Sequence, residues 1–119
     1  MRNLKDNKEM NTYHHVNIMF HSGESKAQTY TYDLSSYLPE KVTRCYFRCM
    51  AYNRNAVFSH YFLWTSVQGE VDVGSCGSDS ADSTNTHVGF VGPDRIVKLR
   101  FTNPLKGGSD FWLIGYEDM

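Results

Sequence analysis

Between residues 13 and 118 large apolar side chains recur at every second position within short runs separated by polar turns, and nowhere is the three-to-four-residue spacing of an amphipathic helix sustained. Side chains on a strand point alternately to its two faces, so this period predicts pleated sheet almost throughout. "TYHHVNIMFH" sets Val16, Ile18 and Phe20 on one face against His15, Asn17 and Met19. "KVTRCYFRCMAY" is the longest such run. Thr43, Cys45, Phe47, Cys49 and Ala51 share one face, while Arg44, Tyr46, Arg48, Met50 and Tyr52 share the other. Tyr30 and Tyr32 alternate with threonines, and Val97, Leu99 and Phe101 alternate with Lys98, Arg100 and Thr102.

Gly-, Pro- and Ser-rich segments separate these runs, as turns between short strands require. Pro39 marks a connection with room for one helical turn. "CGSDSADSTNT" reads as an exposed loop, because it holds no large apolar residue, and "HVGFVG" as a short strand after it. In "VFSHYFLWTSV", Phe58, His60, Phe62 and Trp64 oppose Tyr61, Leu63 and Thr65, which predicts a strand covered on both sides. "FWLIGY" is apolar on both faces too. Such a strand belongs in the middle of a sheet, inserted between strands that precede it in the chain. Greek-key and jelly-roll topologies make that insertion, whereas a simple meander does not. The expected fold is therefore an all-β, two-sheet sandwich of about eight antiparallel strands. Jelly-roll topology is preferred over another sandwich or a small closed barrel.

A chain of 119 residues suits one domain, placed at 12–119 behind a polar arm at 1–11. Aromatic residues reach 14% and are expected to supply much of the core. Twelve basic and thirteen acidic residues leave a net charge of −1, without the basic patch that nucleic-acid binding needs. Arg44, Arg48 and Arg54 are the nearest approach to one. The polar start predicts no signal peptide, and no apolar run is long enough for a membrane span.

No motif fixes a reaction. His14 and His15 point to opposite faces of a strand and cannot share a metal. His60 beside Cys45 or Cys49 would make only a partial zinc site. Those two thiols, about 13 Å apart along one strand, cannot bridge each other. Cys76 and His87 flank the polar loop as a conceivable dyad, but no G-x-S-x-G elbow accompanies them. Asp79, Asp82 and Asn85 offer oxygen ligands without the spacing of a calcium loop. No catalytic residue, metal or cofactor is therefore assigned.

Two surfaces remain. Tyr46, Arg48, Met50 and Tyr52 combine the residue types enriched at protein interfaces. A lectin-like site is the alternative: the 74–86 loop with Asp79, Asp82 and Asn85 for sugar hydroxyls, and Trp64 (or Trp112) as the stacking platform.

The stretches "YFLWTSVQGEVDVGS", "VGFVGPDRIVKLRFTNP" and "FWLIGYED" together resemble the small jelly-roll proteins that large DNA viruses build into their capsids. The resemblance covers about half the chain and implies a minor capsid subunit. Such a protein self-associates, as a trimer for example, packs against other capsid or assembly proteins, and resides in the virion or the host cytoplasm or nucleus. At this length the chain would be a minimal jelly roll, too short for a double-barrel major capsid protein.

Overall fold

The computed structural model describes residues 12–52, 58–76, 82–105 and 108–118. The proposed 1–11 arm, Arg54 and Asp79 lie outside the described residues, as do the side chains of Cys76 and Asp82. Eight strands follow one another: β1 (Tyr13–His21), β2 (Thr29–Asp33), β3 (Thr43–Tyr52), β4 (Ser59–Thr65), β5 (Val71–Cys76), β6 (Asp82–Val91), β7 (Ile96–Phe101) and β8 (Gly108–Asp118). They form two four-stranded antiparallel sheets, β1-β8-β3-β6 and β2-β7-β4-β5, and no helix occurs among the described residues. The chain is thus an all-β, two-sheet sandwich. Of the consecutive strands only β4 and β5 pair with each other; every other connection crosses between sheets.

Strand β3 shows how sequence becomes layer. Thr43, Cys45, Phe47, Cys49 and Ala51 are fully buried, and the residues between them face away from the core. Burying side chains of this kind stabilises by roughly 1.5–3 kcal/mol for each large one. Opposite them the second sheet contributes Tyr61, Leu63, Val97, Leu99 and Phe101. The aromatic rings meet at the centre: Tyr61 and Phe101 lie 5.4 and 6.0 Å from Phe111, and Phe20 lies 5.9 Å from Phe47.

Strand β8 sits between β1 and β3, as its two apolar faces predict. Its register against β3 slips once, pairing Tyr46 with Gly115 and then Phe47 with Leu113. Ile114 is the additional residue of this bulge, and the slip keeps Leu113 facing the core. A second irregularity in β1, between Met19 and His21, breaks the alternation so that His21 turns inward directly after the half-buried Phe20.

His21 anchors a buried polar cluster. Its Nε2 lies 2.8 Å from Ser25 Oγ and 3.2 Å from Ser109 Oγ, and its Nδ1 pairs with the Tyr32 hydroxyl. Ser109 N–H donates to Gly23 O at 2.7 Å, and Ser25 and Leu105 exchange backbone bonds of 3.1 and 2.9 Å. The cluster fastens the β1–β2 connection to the start of β8. Near Pro39 the chain makes one hydrogen-bonded turn, with Leu38 N–H donating to Leu34 O at 3.1 Å.

Two expectations need correction. Residues 82–86 are not loop; they begin β6, which pairs with β3 from Asp82–Tyr52 to Val91–Thr43. The polar composition reflects position: β6 is an edge strand whose Thr84 and Thr86 face solvent. The outer side of β4 is also not covered, for His60, Phe62 and Trp64 are half-exposed there.

Candidate functional site: an aromatic and arginine face on the first sheet

The side chains of β3 that point away from the core form the spine of a continuous outer face. Direct cross-strand partners project to the same side of a sheet, so the pairing register reads out the rows. Arg44 lies between Phe90 and Glu117, Tyr46 between Val88 and Gly115, Arg48 between Thr86 and Trp112, and Met50 between Thr84 and Asp110. Tyr13 and Met19 extend the face along β1, opposite Glu117 and Trp112.

Each cation on this face is stacked on a ring. The Arg44 guanidinium stands 5.7 Å from the Phe90 ring centre and 3.6 Å from the Glu117 carboxylate. That of Arg48 stands 5.4 Å from the Trp112 ring. Tyr13 and Tyr46 meet edge to face at 5.5 Å, and the Tyr46 hydroxyl donates to Glu117. That donation to a carboxylate raises the Tyr46 pKa above the ordinary phenol range. Tyr52 Oη lies 3.7 Å from Met50 Sδ. Tyr13, Met19 and Val88 are 50%, 52% and 45% exposed, so the face is apolar and open rather than a solvated field of charge.

The structure therefore brings Tyr46, Arg48, Met50 and Tyr52 onto one surface with Tyr13, Met19, Arg44, Val88, Phe90 and Trp112. The period along β3 gave the first four. It gave Arg44 as well; the remaining residues come from three strands distant in sequence, β1, β6 and β8, and only the pairing register puts them there.

Of the alternative site, the described residues Trp64 and Asn85 do not converge. Trp64 lies on the outer side of the second sheet, while Asn85 turns inward and donates to the Tyr61 hydroxyl at 3.2 Å. His60 accompanies Trp64 on that outer side and pairs with Asp72 at 3.2 Å, whereas Cys45 and Cys49 are free thiols buried behind the other sheet. Burial pushes the Cys45 thiol up to about 11 and that of Cys49 to about 12. No group of three or more metal-ligating side chains converges among the described residues.

The His21 cluster was not legible in the sequence, because Ser109 lies 88 residues away. It pairs an imidazole with hydroxyls, the raw material of a nucleophile and its base. Yet His21, Ser25 and Ser109 are 6%, 3% and 0% exposed, and Ser109 is further bonded to Gly23. Burial lowers the His21 pKa, which Asp110 partly offsets. The cluster is closed and holds chain to chain.

No protein-family model matches the chain, and a search of curated proteins finds no match.

Proposed function

We propose that this protein is a structural subunit that self-associates and packs against other subunits through the outer face of β1-β8-β3-β6, as a minor viral capsid component does. One observation carries the reading: a continuous outer surface on which exposed Tyr13, Met19 and Arg48 adjoin half-buried Tyr46, Met50 and Trp112, rich in the residue types that dominate interface energetics. The same face holds both signs of charge, Arg44 and Arg48 beside Asp110 and Glu117. A surface carrying both members of each pair can complement a second copy of itself.

The strand orders support a jelly-roll topology. Strands cross between the sheets at every connection but one, and β8 lies between β1 and β3 while β7 lies between β2 and β4. The capsid assignment draws on the sequence resemblance together with this order.

Light scattering and sedimentation velocity on the full chain test the proposal. A homo-oligomer such as a trimer is expected, and Arg48→Glu, which places a carboxylate beside Trp112, should shift the mass to monomer while the circular-dichroism spectrum stays that of the folded sandwich. A wild-type chain that stays monomeric up to its solubility limit, or an oligomer indifferent to both Arg48→Glu and Trp112→Ala, overturns it.

A further inference from the structure

The opposite sheet carries a second, chemically different feature. On its outer side a cleft of about 410 Å³ is lined by Trp64, Lys98, Asp94, Thr31, Ser66 and Ile96. That volume lies at the small end of ligand pockets, which span roughly 300–1,000 Å³. Thr31, Lys98 and Trp64 form one cross-strand row over β2, β7 and β4. Ser66 and Asp94 come from the two turns at the end of that row.

Those turns are built against each other. A side chain at Gly92 would stand 2.8 Å from Val67 Cγ2 and 2.9 Å from Ser66 Oγ, so glycine there permits the close approach. Arg95 adopts φ 57°, and its guanidinium donates to Pro93 O at 3.2 Å and Ser35 O at 3.3 Å. Asp94 Oδ1 accepts from Ile96 N–H at 3.3 Å, which fixes the carboxylate at the rim. The wall is thus held in place before any ligand arrives.

The two cations of β7 differ sharply. Arg100 is committed: it makes a two-point pair with Glu70 at 2.8 and 2.9 Å and covers the Phe62 ring at 4.7 Å. Lys98 makes no ion pair or ring contact among the described residues, and neither does the Trp64 indole. The cleft therefore offers an unoccupied indole, an unpaired ammonium at its floor, and a carboxylate with two hydroxyls at its rim.

We propose that this cleft binds an acidic sugar, a pyranose ring bearing a carboxylate. The apolar C–H face of the ring would lie on Trp64, the carboxylate would pair with Lys98, and the ring hydroxyls would donate to Asp94 and bond with Thr31 and Ser66. A neutral sugar leaves the ammonium unpaired, and a bare anion leaves the indole uncovered, so only the combination uses the whole site. The cleft lies on the sheet opposite the assembly face, and the proposal does not depend on that reading.

Amide correlation spectra of the full chain, titrated with methyl glucuronoside, test it. Methyl glucoside, identical but for the carboxylate, and acetate serve as comparisons; Trp64→Phe assigns the indole signal, with Trp112→Phe as the reciprocal assignment. The expected result is a saturable shift of the Trp64 indole N–H and of the Ser66, Ile96 and Lys98 amides at about millimolar glucuronoside. Affinity should be at least about tenfold weaker for both comparison ligands and for Lys98→Gln. No saturable shift at Trp64, equal binding of glucoside or acetate, or equal binding by Lys98→Gln overturns the proposal.

Discussion

The ring of Tyr13 occupies the space that a side chain at Gly115 would fill: a Cβ built there would collide with the Tyr13 hydroxyl oxygen and Cζ. Glycine in the central strand β8 thus lets an aromatic ring of the edge strand lie flat across the sheet and reach Tyr46. Gly115→Ala should swing Tyr13 outward into solvent. Because Tyr13 is already half-exposed, folding stability should change by no more than about 1 kcal/mol. Self-association should weaken several-fold, as read by sedimentation at equal protein concentration.

Acid should destabilise the fold through two histidines. Burial lowers the pKa of both His21 and His87 from 6.5. His87 Nε2 is buried with no hydrogen-bond partner among the described residues. Each imidazole takes up a proton on unfolding below about pH 6.5, so the unfolded chain binds more protons and stability falls as pH drops through that window. Above it the contribution is complete and flat. Urea titrations between pH 8 and pH 5 should show the decline, at most about 1.4 kcal/mol per pH unit for each proton. His87→Phe, which keeps a flat ring, should make the slope shallower.

Cys45 and Cys49 should be inert in the folded protein. Both are 0% exposed, and their raised pKa values leave almost no thiolate at neutral pH. Peptide mapping after a brief alkylation pulse should find both unmodified in buffer and both modified in denaturant. Rapid native labelling of either would contradict the burial of the inner β3 face.

Phe111 meets four rings at the centre of the core, lying within 6.5 Å of Phe20, His21, Tyr61 and Phe101. Phe111→Ala should cost about 3–5 kcal/mol. A domain of this size has about 5–15 kcal/mol in total, so the variant should be marginally folded, with a chemical midpoint well below that of wild type.

The layers were legible where one face of a strand is buried and the other is not. Thr43 to Ala51 announce their burial by alternation alone, and the insertion of β8 follows from "FWLIGY" being apolar on both sides. Only the first half of β6 was hidden, for "HVGFVG" already reads as strand, whereas residues 82–86 lie on an edge strand with no large apolar residue to mark its buried face. Its solvent-facing threonines and inward Asn85 imitate a loop. Of the outer face of the first sheet, the β3 residues could be read from period, but Trp112, Phe90 and Tyr13 join them only through register. The cleft was partly visible, since Trp64 stood out as an indole. Its companions Lys98 and Asp94 did not, because nothing in the order of residues brings "DRIVK" beside "FLW".

The placement of β8 bears on how the molecule comes into being. The bond from the Tyr13 hydroxyl to Ile114 O joins residues 101 apart, and among the described residues β8 is the one lateral neighbour of β1 within its sheet. On the ribosome, β1 must wait unpaired while some hundred residues are made. Until then the half-built sandwich shows two raw seams, and each is a template on which a neighbouring nascent chain can zip up by mistake.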